Sequence, residues 1–344
     1  MATPISERKK HILRAVVVNY IKTAEPVGSR TVARSHRMNL SSATIRNEMA
    51  DLEEMGYLSQ PHTSAGRIPS QTGYRYYVDN LMDLDNLSED DESALSHSLS
   101  TEKMREIEQI IVRSAKILSS VTNQTSMIMG PQFRKSAFHQ LRILPLDDRK
   151  GLVVLITDAG FIKNKVIDLH PSLSPIELHQ VVSYLNHKLY GLTIDQVTTS
   201  LINELKRDLF RRMEILEQAF ILLEESLKEE KQIRVFLFGT TNILNQPEFK
   251  DVSKIRRMLN LFEQETLLFK ILEDSSSEEG ITVTIGAENA VEDIQECALI
   301  TGTYKIHDKT LGTLGVLGPI RLDYSRVISV MQRLVDNLNK SLSS

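Results

Sequence analysis

Ser41, Ser42, Ala43, Thr44, Arg46 and Asn47 crowd small, polar and basic side chains into residues 41–47. At about 100° per residue, a helix centred on Ile45 at its buried face also turns Met49 and Leu52 inward. Ala43, Asn47, Ala50 and Glu54 then fall near the opposite face, with Thr44 and Arg46 at the flanks. Such a surface suits the major groove of DNA. Small residues allow close approach, and Arg and Asn pair with guanine and adenine edges. Serine hydroxyls and the helix N-terminus can meet phosphate. Glu48, Asp51, Glu53 and Glu54 gather toward the far end, where acids would point away from DNA. The competing reading is an ordinary amphipathic surface helix.

A second group follows in GYLSQPHTSAGRIPS (Gly56–Ser70). His62, Thr63, Ser64, Gly66 and Arg67 are expected at a loop tip. There they can contact backbone phosphate or a minor groove without burying apolar surface. A merely solvated turn is the alternative.

The elements that must hold these groups surround them. Ile12, Leu13, Val16, Val17, Tyr20 and Ile21 recur as pairs four apart, one face of a first helix. Pro26 and Gly28 break it. Ser29 is expected to cap a short second helix that turns Val32 and Ala33 inward. Met38-Asn39-Leu40 forms a turn, Ser41 or Ser42 caps the third helix, and Gly56 ends it. Tyr57–Gln60 and Arg67-Ile68 read as the two strands of a hairpin. Tyr74, Tyr76, Tyr77, Val78 and Leu81 suggest a last helix. This order is that of a winged helix-turn-helix. Residues 1–82 hold 11 Lys and Arg against 7 Asp and Glu, although the whole chain carries a net charge of −4. A basic module on an acidic body is the simplest description.

Beyond it, DLDNLSEDDE (Asp83–Glu92) has six acids and no base. With the Ser-rich stretch that follows, it is expected to be a linker. Residues 103–118 then read as helix, and 140–146, 151–157 and 161–169 as short strands, the last two joined at Asp158-Ala159-Gly160. Residues 175–189 read as helix. A long helical stretch carries Leu205, Leu209, Met213, Leu216, Phe220, Leu223 and Leu227 on one stripe. An intrachain core and a dimer contact both fit that stripe. A strand (233–238) and a helix (252–262) follow, then a polar loop (273–280), strands at 281–285, 297–306 and 313–317, and a final helix (325–338). This alternation predicts an α+β body with a helical insertion.

The chain has 344 residues, 41% of them hydrophobic and 25% charged, as expected of a folded multidomain protein. Cys297 is the single cysteine, so an intrachain disulfide is impossible. It lies in an apolar stretch and is expected to be a buried thiol. His170, His179 and His187 share one region but lack metal-ligand spacing, so no metal is expected. Gly312, Gly315 and Gly318 do not form a dinucleotide fingerprint and are expected in strands and turns. No P-loop, G-x-S-x-G or CxxC is present. No apolar run approaches the roughly 18 residues of a membrane helix. The start lacks a basic segment followed by an apolar one, so no signal peptide is expected and a cytoplasmic location is the default.

PVGSRTVARSHRMNLSSATIRNEMADLEEMGYLSQPHTSAGRIPSQTGYRYYVD (Pro26–Asp79) resembles the N-terminal domain of the HrcA-type heat-inducible transcription repressors of bacteria. SATIRNEM (Ser42–Met49), LEEMGYL (Leu52–Leu58), PHTSAGRIP (Pro61–Pro69) and GYRYYVD (Gly73–Asp79) carry the resemblance. The family often has Pro after the capping Ser, where this chain has Ser42. GTLGVLGP (Gly312–Pro319) resembles the family more loosely.

The resemblance implies a winged-helix DNA-binding domain (1–82) and an acidic linker (83–102). It also implies a GAF-like α+β domain in two parts (103–192 and 273–344) and an inserted, mostly helical dimerisation domain (193–272). It implies a homodimer on an inverted-repeat operator of double-stranded DNA upstream of chaperone operons. The chaperonin GroEL would favour the active repressor, and no cofactor, catalytic residue or membrane would be involved. The alternative is a regulator gated by a small molecule in the GAF-like body. An enzyme is disfavoured, because the body lacks a convergent set of His, Asp, Cys or Ser.

Overall fold

The computed structural model describes residues 5–35, 40–62, 65–99, 107–130, 136–147, 149–158, 160–168, 175–197, 201, 235–275, 280–306 and 309–343. The stripe of Leu205, Leu209, Met213, Leu216, Phe220, Leu223 and Leu227 lies outside these residues, as do Thr63 and Ser64.

Helix α1 (Glu7–Thr23) is capped by Ser6 and ends at Ala24 in the left-handed conformation. It buries Ile12, Leu13, Val16 and Val17, the stripe expected from the sequence. Helix α2 (Ser29–Ser35) begins one residue early, with Ser29 as its first turn rather than its cap. Helix α3 (Ser42–Glu54) is capped by Ser41, and it buries Ile45, Met49 and Leu52. Gly56 follows at φ 79°, where a side chain would be strained. Strands β1 (Leu58–Ser59) and β2 (Ile68–Pro69) form the hairpin, with Leu58 opposite Pro69. Helix α4 (Gln71–Asn80) starts at the Ser70 cap and buries Tyr74 and Tyr77. A winged helix-turn-helix therefore occupies the first 80 residues.

The acidic stretch is not a loose linker. Helix α5 (Glu89–Leu99) has four acids in its first turn, which favour the positive end of the helix dipole. Leu95 is fully buried, and Asp91 pairs with Arg326 at 3.1 Å. Upstream, Ser325 Oγ donates to Asp83 O at 2.6 Å and accepts from the Asp85 amide at 2.7 Å. Charge composition alone does not encode these anchors.

Helix α6 (Ile107–Thr122) leads into β3 (Thr125–Met129). Then come β4 (Phe138–Pro145), β5 (Lys150–Thr157), β6 (Ile162–Asp168) and α7 (Pro175–Leu189). The chain continues through β7 (Val235–Phe238), α8 (Val252–Glu263), α9 (Glu265–Asp274), β8 (Ile281–Ile285), β9 (Cys297–Ile306), β10 (Lys309–Pro319) and α10 (Tyr324–Ser343). The main sheet has the order β7-β3-β10-β9-β8 and is antiparallel throughout. Both its faces are covered. Ile128, Ile300, Leu314 and Val316 pack on the α6/α10 side. Met127, Met129, Leu299 and Leu317 pack toward α8 and α9. Neighbouring residues of one strand thus enter opposite cores, so the strands read as continuous apolar runs. The three glycines of β10 lie within the strand, as expected. At Gly315 a Cβ would come within 2.9 Å of Leu272 on α9.

The insertion has other boundaries than 193–272. Met129 at the end of β3 lies opposite Val235 at the start of β7. Residues 130–234 therefore leave and re-enter the main sheet at one point. The smaller sheet β4-β5-β6 and α7 fall inside the insertion, while α8 and α9 belong to the main body. Phe138, Leu141, Val153, Leu155, Leu185 and Leu189 form the insertion's own core. Asn186 ties α7 to β4 by bonding both Leu141 N at 2.7 Å and Leu141 O at 3.0 Å.

Candidate nucleic-acid interface

Helix α3 presents the surface its sequence implied. The Arg46 and Asn47 side chains are exposed and make no hydrogen bond or ion pair among the described residues. Ala43 is exposed beside them, and Ser42 and Thr44 are half-buried. Ser41 Oγ accepts from the Thr44 amide at 3.1 Å and lies 2.9 Å from the Thr44 hydroxyl. Both hydroxyls thus serve the cap first, which leaves Arg46 and Asn47 as the exposed side chains of this surface without a partner among the described residues.

Three of the four acids of α3, Glu48, Asp51 and Glu53, are paired within the domain. Lys9 on α1 holds Glu48 at 3.0 Å and Asp51 at 2.9 Å, and Arg8 adds a contact to Glu48 at 3.4 Å. Hydrogen bonds to Asp51 and then Glu48 push the Lys9 ammonium above its ordinary range. These bridges fix α3 against α1 and cancel charge that would repel phosphate. The Arg8-Lys9-Lys10 run was the sequence signal for this bracing, and only the fold shows which acids it meets.

The wing departs from expectation at its base. His62 is exposed, and the Ala65 amide closes the turn onto His62 O at 2.9 Å. Gly66 and Arg67, however, are drawn away from the tip. Val27 and Arg67 exchange two backbone hydrogen bonds of 2.9 Å, joining the wing to the turn after α1. A Cβ at Gly66 would collide with the Val27 carbonyl, so this approach requires glycine. The Arg67 guanidinium sits on Glu53 with Nε 2.7 Å from Oε2. The contact is an ion pair rather than an aligned hydrogen bond. Arg67 therefore braces the hairpin on α3, because strands of two residues leave it at the root of the loop.

A third feature escaped the sequence entirely. The winged-helix domain is bolted to the body. Arg75 on α4 pairs with Glu288 and donates to Val283 O at 2.6 Å. Gln71 accepts from the Ala287 amide at 3.1 Å, and Gly286 (φ 57°) leaves room for it. Arg321 donates to Ile21 O at 3.2 Å while pairing with Glu248. The Tyr74 and Tyr324 rings pack at a tilt of 48° with ring centres 6.0 Å apart. Burial alone would raise the Glu288 carboxyl, but Arg75 and the Ile285 amide outweigh it and hold it below the usual range.

The sequence model of the family described as "HrcA protein C terminal domain" matches residues 108–328. The heat-inducible transcription repressor HrcA of Natranaerobius thermophilus is 45% identical over 97% of this chain and 96% of its own. This chain belongs to the HrcA family. The namesake from Pelotomaculum thermopropionicum is 42% identical over 98% of this chain and 97% of its own. A crystal structure described only as a hypothetical protein shares the fold with a TM-score of 0.63, at 24% identity and 99% coverage of both chains. This HrcA-family chain is accordingly a heat-inducible transcription repressor and not an enzyme. No helix among the described residues is long and apolar enough to cross a membrane.

Proposed function

We propose that this HrcA-family chain represses chaperone operons by binding an inverted-repeat operator as a homodimer, with α3 in the major groove. The observation that carries the reading is the pair Arg46 and Asn47, with exposed and unengaged side chains on a helix whose neighbouring acids Glu48 and Asp51 are held by Lys9. Two such helices related by a two-fold axis would read two half-sites. Self-association is supported by the outer face of β4-β5-β6. Leu144, Leu152 and Val166 form one cross-strand row there, with Ile156 and Ile162 in another. Val166 is 53% exposed and Ile162 62%, and these two apolar rows, separated by the row of Arg142, Val154 and Asn164, have no cover among the described residues. The leucine stripe at 205–223 is the second candidate contact.

Release on heating follows if the free repressor is marginally stable and prone to aggregate through such surfaces. Chaperonin of the GroEL type would keep it folded until denatured proteins compete for that chaperonin. The cytoplasm is the compartment where both partners meet. Footprinting on the organism's own chaperone-operon promoters, with and without chaperonin, tests this. Protection of an inverted repeat that strengthens with chaperonin is expected. No protection under either condition would overturn the reading.

A further inference from the structure

The winged-helix domain has two kinds of cation. Arg8, Lys9, Lys10, Arg14, Arg67 and Arg75 each hold a carboxylate. Lys22, Arg30, Arg34 and Arg46 hold none among the described residues. Lys22 lies in the last turn of α1, where it offsets the negative end of the helix dipole. The other three all sit on the helix-turn-helix.

Arg30 and Arg34 are four residues apart on α2, so they share one side of the helix about 6 Å apart along its axis. That side is opposite Val32, which is fully buried against the domain core. Both arginines are exposed. When the second helix of a helix-turn-helix enters the major groove, the first crosses the sugar-phosphate backbone. α2 is that first helix.

We infer that Arg30 and Arg34 form the phosphate clamp of this repressor, in place of Arg67. The inference rests on the proposed placement of α3 in the major groove. A free guanidinium meets a phosphate and releases the full complement of condensed cations. Arg67 would first have to leave Glu53, which takes back charge that the phosphate would gain. The clamp sets the height of α3 in the groove, and Arg46 and Asn47 then read bases from that fixed position.

The test uses the full-length chain and two duplexes. One carries the sequence the protein selects from a random pool, and the other is its scramble. Affinity is titrated against salt for wild type, Arg30→Gln, Arg34→Gln and Arg67→Gln. Each α2 variant is expected to lower the slope of log K against log salt by about 0.9 per subunit, on both duplexes. Arg67→Gln is expected to leave the slope unchanged. A fourfold rise in salt should then cost each α2 variant about 3.5-fold less affinity per subunit than it costs wild type. Thermal unfolding checks that the exposed substitutions leave the fold intact. Unchanged slopes for both α2 variants, or a slope lost only in Arg67→Gln, would overturn the clamp. Wild type that selects no sequence and binds neither duplex would instead sink the DNA-reading placement on which the clamp rests.

Discussion

Cys297 is fully buried in β9, and burial first of all pushes its thiol up to about 12. Its sequence context, CALIT, already pointed to an inert thiol, and the structure agrees. The thiolate is the reactive form, so a thiol reagent at pH 7.5 should label the native chain only as it opens. Labelling should become complete on adding denaturant. Stoichiometric labelling of native protein within seconds would contradict the burial. Arg67 gives the opposite lesson at this scale. Its type and loop position suggested a DNA contact, but pairing depends on which carboxylate the fold brings near. Glu53 is fourteen residues upstream by number and adjacent only because the hairpin folds back on α3. Local spacing could not reveal that contact, whereas the exposed pair Arg46 and Asn47 followed directly from helical periodicity.

Among the elements, those with strong periodicity or a clear cap were legible: α1, α3, the hairpin, α4, α7, α8 and α10. The insertion's limits were not. Met129 and Val235 pair across more than a hundred residues, and no local pattern encodes that register. β3 was missed because TSMIM is short and only Asn123, at φ 53°, marks the turn before it, and α9 because it starts within one residue of α8. The insertion also carries the most testable surface. Val166→Asp and Ile162→Asp place charge on side chains that are already exposed, so the folded chain should persist. If the sheet face is the dimer contact, sedimentation should show monomers with unchanged secondary structure. Leu155→Ala, in the insertion's core, should instead cost about 2–5 kcal/mol of stability with association intact in the folded fraction. Dimers that survive both aspartate variants would assign the contact to residues 205–223.

At the scale of the whole molecule, the winged-helix domain is not a tethered reader. One apolar cluster runs from Val16 and Tyr74 through Tyr324 and Val327 into the body, and Arg75 and Arg321 clamp its rim. The orientation of α3 is therefore set by the body, which in the proposed dimer would set the spacing of the two α3 helices. The clamp has a pH signature. Glu288 sits below its ordinary 4.5 in the folded chain. Its contribution is present above about 4.5 and is lost as pH falls through the lower, folded value. The melting temperature of Glu288→Gln should fall short of wild type at pH 7, and the gap should narrow as pH falls below about 4.5. A gap that does not narrow with acid would mean that the pair does not clamp through charge. The central claim is that α3 reads bases, and the affinity ratio between selected and scrambled duplex tests it most directly. Measured at one salt, Arg46→Ala and Asn47→Ala should each lower that ratio by about 1–3 kcal/mol, roughly 5- to 150-fold, with less change on the scramble. Equal losses on both duplexes, leaving the ratio untouched, would show that these side chains touch only the backbone and that α3 does not read the operator.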